Sequence, residues 1–307
     1  MIYQCTIAKA ATLKGIGLHT GREITMRLLP AAAGTGILFH RSEGDKSRVI
    51  EALSANVVDT RMATVIGKGD LRVSTIEHLM AALVACQIDN LVIEIDGPEV
   101  PILDGSAAPF IRLIHQAGIA RLARSRKVIA ITKPLTLVEG EKRVSLIPSR
   151  FLRVSFDLNF SHPCIRQQQR SFKLSTESFC SEIASARTFG FLEEVEYLKS
   201  VGLARGGSLA NAVVIGKDSI LNPEGLRYGD EFVRHKILDT LGDFALLGYG
   251  LLGHIKSYKA GHDINHKMVE KILATPDSWR FVEFSEAAVA EALRLPLPAF
   301  NPDLVQA

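Results

Sequence analysis

At 307 residues, 47% hydrophobic and 22% charged, the chain is composed like a globular protein with a real core, as one large domain or two of ordinary size, and not like a disordered one. A net charge of +3 without a dense Lys/Arg run gives no reason to expect nucleic acid as a partner. The start is not a basic segment followed by an apolar one, so no secretory signal is expected. No apolar run reaches the roughly 20 residues of a membrane span. Cys5, Cys86, Cys164 and Cys180 form no C-x-x-C pair, which predicts thiols in a reducing cytosol and disfavours a cysteine-based zinc site.

In chain order, residues 2–30 alternate like strands around the loop Lys14-Gly15-Ile16-Gly17-Leu18-His19-Thr20-Gly21, where His19 is either a turn residue or a cleft-lining one. Another strand begins at 36–40. Residues 41–72 read as short strands with polar turns, a small inserted sheet. A helix follows from 73 to 84, with Ser74-x-x-Glu77 as a candidate capping box. Then come a strand at 89–95, a turn-rich loop at 98–104 and a helix at 107–117. The composition changes over 120–127, which reads as a solvated linker.

The pattern then restarts. Strands are expected at 128–138, 143–147 and 151–160, a short helix at 192–200 and a strand at 211–215. They are followed by a long helix at 232–247, a strand near 252–259, the loop 261–266 and a final long helix. Leu28-Leu29-Pro30-Ala31 has a counterpart in Leu146-Ile147-Pro148-Ser149. After each come a strand, a His-bearing helix, a strand, a loop and a helix. This rhyme predicts two similar α+β domains by duplication, over 1–124 and 125–307. It also predicts that His78 and His235, at matching places at the starts of matching helices, face each other at the interface.

The chemistry is concentrated on the helix at 232–247. At roughly 100° per residue, Val233, Ile237, Leu238, Leu241, Phe244 and Ala245 share one face, and His235, Lys236, Asp239 and Asp243 the other. Taken alone, the polar face reads as solvated. His235 and Asp239, at i and i+4, also lie one above the other and can share a divalent cation. With His78 they make a candidate ligand set. Two imidazoles and a carboxylate suit zinc and leave a fourth position open for water, whose pKa zinc lowers to about 7.

Glu77 is the candidate base. His262 is the candidate proton donor to a leaving amine, with Asp243 holding its imidazolium. Thr188 or a backbone N–H suits an oxyanion, and Lys236 a phosphate or another oxyanion of the substrate. No H-E-x-x-H motif supports a zinc peptidase. Gly206-Gly207-Ser208 reads as a tight turn into a strand, not as a P-loop. The apolar run of Phe189, Phe191, Leu192, Val195, Leu198 and Leu203 reads as core before lipid slot. These residues alone stop at a metal-dependent hydrolase.

Several stretches together carry more. They are Lys14 to Gly21, Ser74-Thr75-Ile76-Glu77-His78-Leu79, Pro101-Ile102-Leu103-Asp104-Gly105-Ser106-Ala107 and Ala186-Arg187-Thr188-Phe189-Gly190-Phe191. To these add Leu221 to Arg227 running into Asp230 to Asp239, and Gly261-His262 with Asn265-His266. The chain resembles the UDP-3-O-acyl-N-acetylglucosamine deacetylase family, the zinc amidases of lipid A biosynthesis in Gram-negative bacteria. The resemblance implies two two-layer α/β sandwich domains, each with a small insert, and an active site at their interface. It implies zinc (or iron, as an alternative metal) on His78, His235 and Asp239. It also implies Glu77 as base, His262 as acid oriented by Asp243, and Thr188 steadying the oxyanion.

The substrate implied is a UDP-linked, 3-O-acylated N-acetylglucosamine that loses acetate. Substrate contacts would be Lys236, Phe189, Phe191, Gly207 and Leu18, with the insert from Phe189 to Ser208 forming an apolar passage for the acyl chain. The expected enzyme is a cytoplasmic monomer without stable membrane insertion. The end at Ala307 is expected to leave no room for the fused dehydratase domain of some relatives. Arg205 and Ala210 depart from the family's pattern beside the passage. Two readings compete with this one: an amidohydrolase of another acylated amino sugar, and a duplicated binding module with a structural metal.

Overall fold

The computed structural model describes residues 2–283 and, beyond them, 285–287, 290 and 294. In the first half the strands are β1 (Tyr3–Ile7), β2 (Ala11–Ile16), β3 (Glu23–Pro30), β4 (Ile37–Glu43), β5 (Lys46–Glu51), β6 (Val57–Asp59), β7 (Val65–Lys68) and β8 (Leu71–Val73). Helix α1 (Glu77–Ala85), β9 (Leu91–Ile95), α2 (Ala108–Ala117) and β10 (Ile119–Ser125) follow. The second half begins with β11 (Lys127–Ile131), β12 (Leu135–Glu139), β13 (Lys142–Ile147), β14 (Leu152–Asn159), β15 (Gln167–Lys173) and α3 (Thr176–Glu182). It continues through β16 (Phe189–Phe191), α4 (Leu192–Ser200), β17 (Val213–Ile215), α5 (Glu231–Phe244), β18 (Gly250–Tyr258), α6 (His262–Leu273) and β19 (Trp279–Glu283).

The duplication is legible in the strand order. In the first half β2, β3, β9, β4 and β5 lie side by side, every neighbouring pair antiparallel except β9 with β4, which is parallel. In the second half β12, β13, β18, β14 and β15 repeat the arrangement, with β18 and β14 as the parallel pair. The parallel pairing needs a crossover, and α1 and α5 lie within the two crossovers. Each crossover also carries an insert. The first is the three-stranded sheet β6-β7-β8, and the second contains the parallel pair β16-β17 with α4.

Period-two burial explains the sheets. Along β3, Ile24, Met26 and Leu28 are buried while Glu23 and Arg27 are exposed. Along β14, Val154, Phe156 and Leu158 point into the core. The buried faces meet helices: α2 contributes Phe110, Ile111 and Ile114, and α5 contributes Phe232, Val233, Ile237, Leu238, Leu241 and Phe244. The fold is thus α+β, with two similar sheet-and-helix layers packed through α1 and α5. No helix among the described residues is long and apolar enough to cross a membrane.

Several expectations need correction. The supposed linker at 120–127 is mostly strand. Its backbone pairs with the first strand of the chain, Cys5 against Arg121 and Ile7 against Ile119, so its charged side chains decorate a paired edge. The inserted sheet is shorter than 41–72, because β4 and β5 belong to the main first sheet. The strand expected at 128–138 is two strands, β11 and β12, separated around Pro134. His262 is not in a loop but is the first residue of α6. Strands β15 and β19 and helix α3 were not anticipated. Strand β15 opens with three glutamines, carries a single apolar residue, Phe172, and is exposed along most of its length, so it lacks the apolar alternation that marks a strand.

Candidate active site

The site forms where the start of α1 meets the middle of α5. Glu77 is the first residue of α1, and no side chain caps that helix. The Ser74–Glu77 capping box is not made. Thr75 takes φ 57, an uncommon conformation for a β-branched residue, and the turn aims Glu77 elsewhere. The Ser74 hydroxyl instead donates to the Pro98 carbonyl at 3.3 Å, and Thr75 Oγ1 donates to the buried Glu99 carboxylate at 3.0 Å. The same carboxylate accepts the backbone N–H groups of His19 and Thr20, tying the glycine loop to the entrance of α1.

The polar face of α5 is not solvated. His235, Asp239 and Asp243 are buried because α1 crosses over them, and only Lys236 and Arg234 on that side stay partly exposed. His78 and His235 are not at equivalent positions, since His235 lies one turn inside its helix. Even so, the rings meet edge to face with centroids 4.9 Å apart.

Asp239 Oδ1 lies 3.2 Å from His235 Nε2 and 3.7 Å from His78 Nε2, and the ligating atoms of the three residues all fall within 4.8 Å of one another. His235 Nδ1 donates to the Ala186 carbonyl at 3.0 Å, which leaves the Nε2 lone pair facing Asp239. Asp239 Oδ2 accepts from Lys236 Nζ at 2.9 Å, whereas Oδ1 is buried without a hydrogen-bond partner.

Burial, with the neighbouring His235, pushes His78 down to about 3, and burial also lowers His235. Burial alone would raise Asp239, but His235 and Lys236 overcome it and hold the carboxyl well below its usual range. Two neutral imidazoles and an ionised carboxylate with an orphaned oxygen are the donor set a divalent cation takes.

Glu77 and His262 face each other beside this cluster, His262 Nε2 standing 4.0 Å from Glu77 Oε1. Burial raises Glu77 to about 7, with Asp239 and Asp243 adding to it against the opposing effect of His262. Burial opposes protonation of His262, but Asp243, at 3.0 Å from Nδ1, overcomes it and lifts the imidazole to about 10. Asn265 Nδ2 donates to the same Asp243 carboxylate at 2.9 Å.

His78, His235, Asp239, Glu77 and His262 line one cleft of about 450 Å³, shared with Leu18, His19, Met62, Lys142, Thr188, Phe189 and Lys236. It adjoins an apolar cavity of about 380 Å³ under the second insert, walled by Leu192, Val195, Leu198, Leu209, Val214 and Leu221. Leu18, His19, Met62, Thr188 and Phe189 border both, and Gly207 lines the apolar one. The apolar run is therefore partly cavity wall and not all core.

Phe191 is the exception among the expected substrate contacts. It lines neither space, because its ring packs on Phe160 and His162 at centroid distances of 5.8 and 5.2 Å. Arg205 and Ala210 also line neither. The Arg205 and Gly206 N–H groups latch the insert onto the His19 and Leu18 carbonyls. Sequence reasoning missed Thr64, Met62 and Lys142. Met62 and Thr64 lie in the first insert with no periodicity to single them out, and Lys142 opens a sheet strand.

The sequence model of the family described as UDP-3-O-acyl N-acetylglycosamine deacetylase matches residues 4–274. A Syntrophotalea carbinolica protein named UDP-3-O-acyl-N-acetylglucosamine deacetylase is 65% identical over 288 residues, covering 94% of this chain and 93% of its own. Proteins with the same name from Geobacter sp. strain M21 and Myxococcus xanthus are 54% and 50% identical. They cover 98% and 91% of this chain and 99% and 89% of their own.

Proposed function

The chain belongs to the UDP-3-O-acyl N-acetylglycosamine deacetylase family, and on that premise we propose how its cleft deacetylates a UDP-linked, 3-O-acylated N-acetylglucosamine in lipid A biosynthesis. The reaction adds water across the acetamide: the C–N bond breaks, acetate leaves and the amine nitrogen gains a proton. His78, His235 and Asp239 would hold the metal, and their nitrogen and carboxylate donors suit zinc, with iron as the alternative. A divalent cation there supplies Lewis acidity toward the amide carbonyl and makes water easier to deprotonate at neutral pH.

The protein's own groups divide the proton work. Glu77, raised to about 7, takes the proton from the attacking water. His262, charged over the working pH range, gives its Nε2 proton to the departing nitrogen, while Asp243 holds the other ring nitrogen. Thr188 lines the cleft beside these groups and offers its hydroxyl to the developing oxyanion. Lys236 keeps a positive charge beside Asp239 and faces the substrate. The apolar cavity behind Leu18, Phe189 and Gly207 takes the 3-O-acyl chain and keeps it out of water.

The observation that carries this reading is the opposed pair. One carboxyl and one imidazole lie 4.0 Å apart beside a buried three-donor cluster, and although both are raised, to about 7 and about 10, the window between those values leaves Glu77 free to accept a proton while His262 still carries one. We divide the chain at 124/125, with Glu77 and His78 from the first unit and His235, Asp239 and His262 from the second. We propose that the enzyme works as a monomer. We place the enzyme in the cytoplasm, a reducing compartment in which the free thiols of Cys5, Cys86, Cys164 and Cys180 persist.

The test is metal content per chain, measured beside acetate release from the UDP-acyl-sugar before and after chelation and zinc or iron return. About one metal per chain, with activity lost and regained with it and Glu77→Ala keeping the metal but not turnover, is the expected result. Unchanged turnover after complete metal removal would overturn the metal assignment. Turnover confined to simpler N-acetyl sugars would move the substrate.

A further inference from the structure

Thr64 stands just before β7, in the small inserted sheet of the first half, and is 1% exposed. All three of its polar groups are engaged. Its N–H donates to Glu77 Oε2 at 3.1 Å. Its carbonyl accepts the N–H of Ile76, the residue just before α1, at 3.4 Å. Its hydroxyl donates to Asp243 Oδ1 at 2.6 Å, across 179 residues of sequence and from one half of the molecule to the other.

The hydroxyl carries a single proton, and the geometry decides where it goes. Thr64 Oγ1 is also 3.4 Å from His262 Nδ1, but that nitrogen uses its own hydrogen on Asp243 and has no lone pair to offer. Asp243 therefore receives three donors: Thr64 on Oδ1, Asn265 on Oδ2, and His262 Nδ1 between them at 3.1 and 3.0 Å. With both oxygens anchored, the carboxylate cannot rotate, and the imidazole it holds keeps Nε2 turned toward Glu77. Thr64 thus touches the two arms of the acid–base pair, one through its backbone and the other through its side chain.

We propose that Thr64 is a positioning residue for the deacetylation, setting the distance between Glu77 and His262 by bonding to Glu77 directly and to His262 through Asp243. This rests on the acid–base roles given above. Serine preserves the donor, whereas valine preserves the shape and removes it.

The experiment is steady-state kinetics of Thr64→Val, Thr64→Ala and Thr64→Ser in the metal-loaded full chain, each also combined with His262→Gln. Thr64→Val and Thr64→Ala are expected to lower kcat on the order of tenfold to a hundredfold, as loss of a supporting hydrogen bond at a reacting group does. KM and metal content should stay unchanged, and Thr64→Ser should recover most of the rate. In the His262→Gln background, Thr64→Val should cost little more, because the group it positions is gone. Wild-type kcat in Thr64→Val beside an impaired His262→Gln would overturn the role of Thr64 alone. So would full additivity of the two changes, or a Thr64→Ser as slow as Thr64→Val. A fully active His262→Gln would instead remove the acid assignment, and this proposal with it. Thr64→Ala and Thr64→Ser keep the test decisive if the valine variant does not fold.

Discussion

Gly242 on α5 and Glu77 on α1 touch backbone to backbone: a Cβ at Gly242 would stand 2.1 Å from the Glu77 carbonyl oxygen and 2.9 Å from its Cα. The crossing of the two helices is set at the residue next to His78 and between Asp239 and Asp243. Only a residue without a side chain lets the His78–His235–Asp239 cluster and the Glu77–His262 pair close up at once. Gly242→Ala must push α1 away. Overpacking of this kind costs about 1–3 kcal/mol of stability. We expect a lower melting temperature together with weaker metal binding and a lower kcat, by thermal melts, metal titration and kinetics. A variant with native metal affinity and rate would show that the crossing tolerates more slack than this contact implies.

His78→Ala, His235→Ala and Asp239→Ala should each lower metal content and activity together, because each removes one of the three donors that converge there among the described residues. Asp239→Ala also leaves Lys236 without the carboxylate it bonds. Metal analysis beside turnover decides the matter: a variant with normal metal and full activity is not a ligand variant.

Activity should fall on the alkaline side as pH rises through about 10, where His262 loses its proton. The same raised value contributes stability that is fully present below about 6.5 and is lost as pH rises through about 10. Asp243→Asn removes the main cause of the rise. The alkaline limb should then move down toward the ordinary histidine value, and at pH 8 only about one-thirtieth of the imidazole would stay protonated. A pH–rate profile of the variant with its alkaline limb unmoved would separate Asp243 from this function.

Leu198 and Val195 wall the apolar cavity from α4. Leu198→Trp fills part of its roughly 380 Å³. KM for a long-chain substrate should rise about tenfold or more, since lost apolar contacts are worth about 1–3 kcal/mol, while short-chain substrates are turned over as before. Equal effects on both chain lengths would mean that the acyl group lies elsewhere.

Much of the site was legible in the residues. His235 and Asp239 could be paired because helical spacing is local, and His78 could be joined to them because the two halves rhyme. Met62, Thr64 and Lys142 were not legible, because neither insert nor strand carries a period that marks a cleft. The Phe191 ring meets Phe160 and not the cavity, and a three-residue strand beside a cavity does not announce which of the two a ring will face.

The sequence by itself determined the α+β class, the repeated order of elements and the candidate grouping of His78, His235 and Asp239. These follow from short-range periodicity and from the chemistry of single side chains. Only the tertiary structure decided that the polar face of α5 is buried and that the stretch at 120–127 is a paired strand. It alone decided that the Thr64 hydroxyl reaches Asp243. Each depends on which surface lies opposite, and packing between elements far apart in the chain fixes that, not the spacing within any one of them.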